Sequence, residues 1–141
     1  MAREPKAFII VGLAFGDEGK GGITDYLARL HGASLVVRYS GGSQAAHTVI
    51  LQDGRSHTFA QFGSASFIPD VRTHLSRYML IEPYAMLNEA VVFNRAMGEG
   101  DVMDRLTVDP LCRVITPYHW ILNRIREKAR GIDRHGSCGM G

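Results

Sequence analysis

The sequence contains no run approaching the ~20 apolar residues that a membrane-crossing helix needs, so no helical span is expected. It has only two cysteines, Cys112 and Cys138, and no C-x-x-C spacing. A disulfide scaffold and a zinc site are therefore not expected, and free thiols fit a reducing cytoplasm. A formal net charge of +2, with no basic stripe, argues against a nucleic-acid or membrane-surface partner. Internal repeats and low-complexity tracts are missing, which leaves disorder expected only at the ends. Two familiar nucleotide fingerprints are missing as well. The P-loop pattern G-x-x-x-x-G-K-[ST] would need glycine at Ala14 and Ser or Thr at Gly21, and the glycines at 16, 19 and 21 do not fit G-x-G-x-x-G. Arg3 and Lys6 before the apolar run Ala7 to Phe15 imitate a secretory signal, but no small-residue cleavage site follows.

What is present starts at that apolar run. It breaks into Gly16-Asp-Glu-Gly-Lys-Gly-Gly22, with four glycines in seven residues, two carboxylates and one lysine. Glycines let a backbone turn tightly and aim its N–H groups at an anion, and Lys20 adds a point charge for phosphate. Asp17 and Glu18 would repel phosphate unless a metal intervenes or one of them handles a proton, so the loop points past binding toward catalysis. An ordinary strand-to-helix turn with solvated charges is the plain alternative.

At 141 residues the chain is about one domain, able to bury roughly 68% of its unfolded surface. Ala7 to Val11 reads as a central parallel strand. A helix follows from about Gly21, with Ile23, Leu27 and Leu30 as its apolar stripe and Gly32 as its end. Leu35 to Tyr39 reads as a second strand, so residues 7 to 39 form a βαβ unit whose two loops open at one sheet edge, where ligands of α/β sheets bind. Thr48 to Leu51 and Ser56 to Phe59 flank Asp53-Gly54, a hairpin signal. Pro83 opens a helix closed by Gly98, with Ala85, Leu87, Ala90, Val91 and Val92 available for its inner face. Leu106 to Val108 reads as a short strand. Thr116-Pro117 begins a last helix, Tyr118 to about Arg130, with Ile121, Leu122 and Ile125 inward. The expected fold class is α/β: a mainly parallel central sheet with helices on both faces, a P-loop-like strand, loop and helix at the N-terminus, and a hairpin.

The second chemical segment is Gly41-Gly-Ser-Gln-Ala-Ala-His-Thr48. A lone histidine at a strand entrance is more often structural than catalytic. The expected topology, however, brings His47 beside Asp17. His31, His57, His74 and His119 have no such neighbourhood.

Taken in order, Gly16-Asp-Glu-Gly-Lys-Gly21, Val37-Arg-Tyr-Ser-Gly-Gly42 and Ala45-Ala-His-Thr48 resemble the GDEGKGK, VRYQGG and NAGHT segments of the adenylosuccinate synthetase family. Pro117-Tyr-His119 and Arg126-Glu-Lys-Ala-Arg-Gly131 are similar to that family's Y-H and REKARG helix. Gly136-Ser-Cys-Gly-Met-Gly141 falls where its GTTGRGIG loop begins. The resemblance implies a GTP-dependent ligase that joins L-aspartate to C6 of inosine monophosphate through a 6-phosphoryl intermediate, with magnesium as cofactor. It implies Asp17 as the base at purine N1 and a magnesium ligand, His47 as the acid that steadies the transferred group, and Lys20 with Gly16, Glu18, Gly19, Gly21 and Gly22 around the phosphates. Ala46, His47 and Thr48 would complete the GTP side. Glu18, Gly19, Lys20, Gln44, Ala45 and Ala46 would line the purine monophosphate together with Asp17, His47 and Cys138. The Ala46 carbonyl would be a second magnesium ligand, and family members are commonly homodimers.

The chain departs from the family pattern where Gly22 replaces a lysine, Ser43 and Gln44 replace His-Asn, Ala46 replaces glycine and Met140 replaces arginine. Gln44 is one methylene longer than asparagine, which leaves another purine monophosphate open as acceptor. The family's guanine-recognition and aspartate-binding segments correspond to positions beyond Gly141. Residues 1 to 141 are thus expected to be one α/β domain, the N-terminal part of a longer synthetase-like chain; the alternative is a truncated, non-catalytic nucleotide-binding module.

Overall fold

The computed structural model describes residues 5–14, 18–98 and 100–134. Its elements are α1 (Lys20–His31), β1 (Leu35–Gly41), β2 (His47–Ile50), β3 (Ser56–Phe59), β4 (Arg72–Ile81), α2 (Pro83–Met97), β5 (Leu106–Val108), β6 (Arg113–Val114) and α3 (Pro117–Arg130). Short 3-10 turns at Val102–Arg105 and Gly131–Asp133 fill two joins. β4 is the hub of the main sheet. It pairs in parallel with β1 on one side, and with β5 and β6 at successive heights on the other. β2 and β3 make a separate antiparallel hairpin. The class is mixed α/β with a parallel sheet, as the sequence implies. Among the described residues no helix is long and apolar enough to cross a membrane.

Local signals act as their chemistry predicts. Gly54 takes φ 87° in the hairpin loop, where Asp-Gly relieves the strain a Cβ would bring. Glu82 caps α2 by accepting the backbone N–H of Tyr84 and Ala85, Pro83 occupies the first turn, and Gly98 ends the helix at φ 81°. Thr116 opens α3, and its N–H donates to His119 Nδ1 at 2.9 Å. His119 therefore has a capping role.

Three expectations need correction. Ala7 to Val11 forms no strand, and Ile9 is 88% exposed. An apolar run becomes a strand only when a neighbour completes its backbone hydrogen bonds, and no described strand pairs with this one. Consequently residues 7 to 39 do not form a βαβ unit. The helix faces also differ. α1 buries Gly21, Asp25 and Ala28 rather than Ile23 and Leu30. α2 buries Glu89, Ala90 and Phe93 while Leu87, Val91 and Val92 stay exposed, and Ile121, Leu122 and Ile125 of α3 are exposed too. Leu35, Val37 and Tyr39 along one face of β1 are likewise uncovered. Parallel strands are normally covered on both faces, so these stripes are apolar faces that the described residues leave open.

The core sits between the hairpin and α2. Phe59, Phe62, Phe67 and Phe93 pack with Val49, Ala90 and Val102, and the rings of Phe59, Phe67 and Phe93 meet at tilted or edge-on angles with centroids 5.1–5.7 Å apart. Smaller clusters, Ala28 with Ala65 and Val71, and Leu75 with Met79 and Ile81, fix α1 and β4. The crossing segment after β3 is tied down by Arg105, which donates to the carbonyls of Ser66, Ile68 and Val71.

Candidate active site

α1 begins at Gly19, which adopts a left-handed conformation at φ 68° and offers no side chain to cap the helix. The first-turn N–H groups of an α-helix have no partner within the helix, and the helix dipole adds partial positive charge there. Lys20 stands on this turn and forms an ion pair with Glu18. Glu18 also accepts the Ala14 N–H at 2.7 Å. These hydrogen bonds, from Lys20 first and then Ala14, hold the Glu18 carboxyl below the usual range. Gly12 makes the arrangement possible, since a Cβ there would lie 2.0 Å from Glu18 Oε2. The pairing was not evident from the motif, which leaves Lys20 open to phosphate.

The start of β2 lies against this turn. A Cβ on Gly21 would sit 3.0 Å from the His47 carbonyl carbon and 3.1 Å from its Cβ, so the glycine permits the close approach. His47 is half-buried, and its pKa is lowered by burial first, then by the charges of Arg38 and Lys20. The imidazole is thus neutral near pH 7, with one ring N–H to donate and one nitrogen to accept. The two loops meet because α1 packs on β2, not through a βαβ unit.

The other expected site residues fall into three groups. Gly16, Asp17 and Cys138 lie outside the described residues. Glu18, Gly19, Lys20, Gly21 and His47 share the mouth just described, with Ala46 immediately before His47. Thr48 follows on the opposite face of its strand, its hydroxyl on Thr58 Oγ1 at 2.9 Å. Gly22 and Gln44 are exposed, Ala45 is half-buried and Ser43 is buried. For magnesium, the donors at issue are the Asp17 carboxylate and the Ala46 carbonyl. Oxygen donors of this kind fit a cation that keeps one or two carboxylates and completes its shell with water and substrate phosphate. Among the described residues, no three His, Cys, Asp or Glu side chains converge as a metal group.

Two buried charges near the site carry no local signature. Arg38 follows Val37 in a motif whose glycines draw attention first, and the opposing charge, Glu89, lies on α2, far along the chain. Both are under 10% exposed. Their convergence on residues 60 to 62 needs the tertiary structure to be seen.

Gly21 and Gly22 provide a contrast that tests the packing. Gly22→Ala has open space around it and is expected to stabilise the fold by up to about 1 kcal/mol through helix propensity. Gly21→Ala has the same propensity gain but meets the backbone of His47, and overpacking of this kind typically costs about 1–3 kcal/mol. Urea unfolding should therefore rank Gly22→Ala above the parent and Gly21→Ala below it. A pH effect follows from His47. Its folded pKa lies below the ordinary imidazole value, so the unfolded state takes up the proton first. The His47 contribution is complete above about pH 6.5 and is lost as pH falls through the folded pKa. His47→Gln should flatten that part of the stability profile relative to the parent.

Comparison with known proteins adds a further observation. The sequence model of the adenylosuccinate synthetase family matches residues 9–141. An adenylosuccinate synthetase from Halothermothrix orenii is 38% identical over 133 residues, covering 94% of this chain and 30% of the relative. One from Clostridium beijerinckii is 35% identical over 135 residues, covering 96% and 31%. Two solved structures share the fold. A fully ligated adenylosuccinate synthetase from Plasmodium falciparum matches with a TM-score of 0.71 at 24% identity, over 82% of this chain and 25% of that one. The succinoaminodeoxyadenylate synthetase of cyanophage S-2L, bound to dGMP and to dATP as energy donor, matches at 0.62 and 22% identity, over 83% and 30%. The chain spans about a third of the length of the relatives it matches.

Proposed function

The chain belongs to the adenylosuccinate synthetase family, and from that premise we propose that it supplies the phosphate-binding and acid–base half of a GTP-dependent ligase acting on a purine nucleoside monophosphate and L-aspartate. The acceptor is inosine monophosphate. The observation that carries the reading is the close approach of Gly21 to the backbone and Cβ of His47, which sets the N-terminus of α1, whose cap Gly19 has no side chain, beside a histidine on which the Lys20 charge acts. Structural roles alone do not call for that combination.

In this reading Asp17 removes the proton from purine N1, and the electron pair moves to O6. O6 attacks the γ-phosphorus of GTP, the O6–P bond forms, the bond to the β-phosphate oxygen breaks, and GDP leaves. The aspartate amine then adds at C6 and inorganic phosphate departs with O6. Lys20 leaves Glu18 for the incoming phosphate, and the N–H groups of Gly19 to Gly22 donate to its remaining oxygens. His47, kept neutral by burial and two cations, donates its ring N–H to the oxygen on which charge grows; a neutral donor serves where an imidazolium would give up its proton early. Magnesium, held by Asp17 and the Ala46 carbonyl, supplies charge neutralisation across the phosphates when bound. Gln44, Ala45 and Cys138 belong to the purine side. A cytoplasmic homodimer is the assembly and compartment this reading carries.

Phosphate release by the full-length protein is the test. Release should require GTP, L-aspartate and inosine monophosphate together. Consumption of guanosine monophosphate with no use of inosine monophosphate would overturn the acceptor, and GTP binding with no release under any combination would overturn the ligase.

A further inference from the structure

Two buried charges from different elements close on one turn of backbone. From α2, Glu89 accepts three successive N–H groups: Ala60 at 3.0 Å and Phe62 at 3.3 Å on Oε1, and Gln61 at 2.8 Å on Oε2. From β1, Arg38 Nη1 donates to the carbonyls of the same turn, Ala60 at 3.0 Å and Phe62 at 3.1 Å. Residues 60 to 62 thus lie between an anion that takes their N–H groups and a cation that takes their C=O groups. The Gln61 side chain anchors the turn a third time, donating to the Glu82 carbonyl and accepting the Glu82 N–H, each at 2.9 Å.

The turn is the direct continuation of β3. Phe59, its neighbour, pairs with His47 across the hairpin, and His47 in turn packs on Gly21. Both charges are buried, and each is compensated by backbone groups of the turn, since a buried charge left without partners is costly. Burial lowers the Arg38 pKa against the opposing field of Glu89, a sign of how much hydration the guanidinium has given up. His57 is the other ionisable group facing the carboxylate, and at 3.7 Å from Oε1 its Nε2 makes no hydrogen bond there.

Resting on the ligase reading above, we infer that Arg38 and Glu89 are positioning residues for His47: by gripping the turn at residues 60 to 62 they fix the hairpin so that the imidazole faces the N-terminus of α1. Neither residue touches a reacting group. The Arg38 charge also lowers the His47 pKa directly, but Glu89→Gln leaves that charge in place, so the effect the two residues share is on the aim of His47, where a misplacement of about 1 Å is enough to lower a rate on the order of 10²-fold.

The experiment uses the full-length protein with Glu89→Gln, Arg38→Met and Arg38→Lys, and Ile115→Ala, a buried residue before α3, as a core control away from the turn. Two quantities are read: the diethyl pyrocarbonate modification rate of His47, followed by peptide mass spectrometry, and the separate kcat and KM values of the ligation. Glu89→Gln places an NH2 group against backbone N–H donors. It and Arg38→Met should raise the His47 modification rate roughly tenfold through local opening and lower kcat on the order of tenfold or more, with KM for GTP near the parent's. Arg38→Lys, which keeps the charge and a donor, should recover part of both, while Ile115→Ala should move neither. An unchanged His47 rate and unchanged kcat in Glu89→Gln and Arg38→Met overturn the inference and leave the ligase reading standing. If the parent makes no product while His47 still opens in those variants, the ligase reading fails and the positional assignment stands. Should Glu89→Gln fail to fold, the Arg38 pair carries the same comparison.

Discussion

Asp17→Ala is expected to lower turnover of the full-length protein on the order of 10²–10⁴-fold, the range over which a positioned base contributes. GTP binding should remain measurable. The reason lies in the division of labour at the α1 N-terminus. In the proposed function phosphate is held by Lys20 and by the first-turn N–H groups of α1, none of which the substitution removes. Among the described residues Glu18 is the carboxylate beside this turn, and its acceptance of the Ala14 N–H holds it in place when Lys20 turns to phosphate, so it is not expected to replace Asp17. Single-turnover phosphate release alongside equilibrium GTP binding separates the two effects. Unchanged release would assign the base elsewhere, and equal losses of release and binding would make Asp17 a binding residue alone.

Phe93→Ala is expected to destabilise the fold by about 3–5 kcal/mol, the usual range for removing a buried aromatic ring. Phe93 is 1% exposed and its ring meets Phe59, Phe67 and His57 at centroid distances of 5.3, 5.1 and 5.1 Å. It therefore joins α2 to the hairpin and to the segment crossing back to β4. Collapse around the gap is limited because Phe59 is held in the β2–β3 ladder and α2 is pinned at its start by Glu82. Urea unfolding of parent and variant gives the difference, and a loss below about 1 kcal/mol would mean that the neighbouring rings close the cavity. Loss of this ring also loosens the hairpin that carries His47, so activity should fall with stability.

Both predictions use residues whose importance became clear by different routes. Asp17 stands out in the sequence because an acid inside a phosphate loop needs a chemical reason. Phe93 does not. The apolar spacing along α2 points equally to Leu87, Val91 and Val92, which are exposed. Periodicity shows that a helix has an apolar stripe, and the side toward the hairpin was chosen by the aromatic cluster and by Glu89 reaching the buried turn at residues 60 to 62. The same limit explains Ala7 to Val11. Its composition suits a covered strand, yet strand formation depends on a partner outside the segment, and Phe8 stacks on His31 at 4.3 Å instead.

Sequence alone determined the features that arise within a few residues. The Asp53-Gly54 hairpin, the proline starts of α2 and α3, the glycine ends of α1 and α2, and the concentration of anion-binding chemistry between Gly16 and Thr48 all follow from local dihedral preference, capping and charge. Only the tertiary structure decided which helix faces are buried, that Lys20 pairs with Glu18, that Gly21 meets His47 through α1 packing on β2, and that Arg38 and Glu89 grip one turn from opposite sides. Those outcomes depend on groups far apart in the chain. Their contact energies arise only after the backbone has closed the intervening loops, and no local pattern records them.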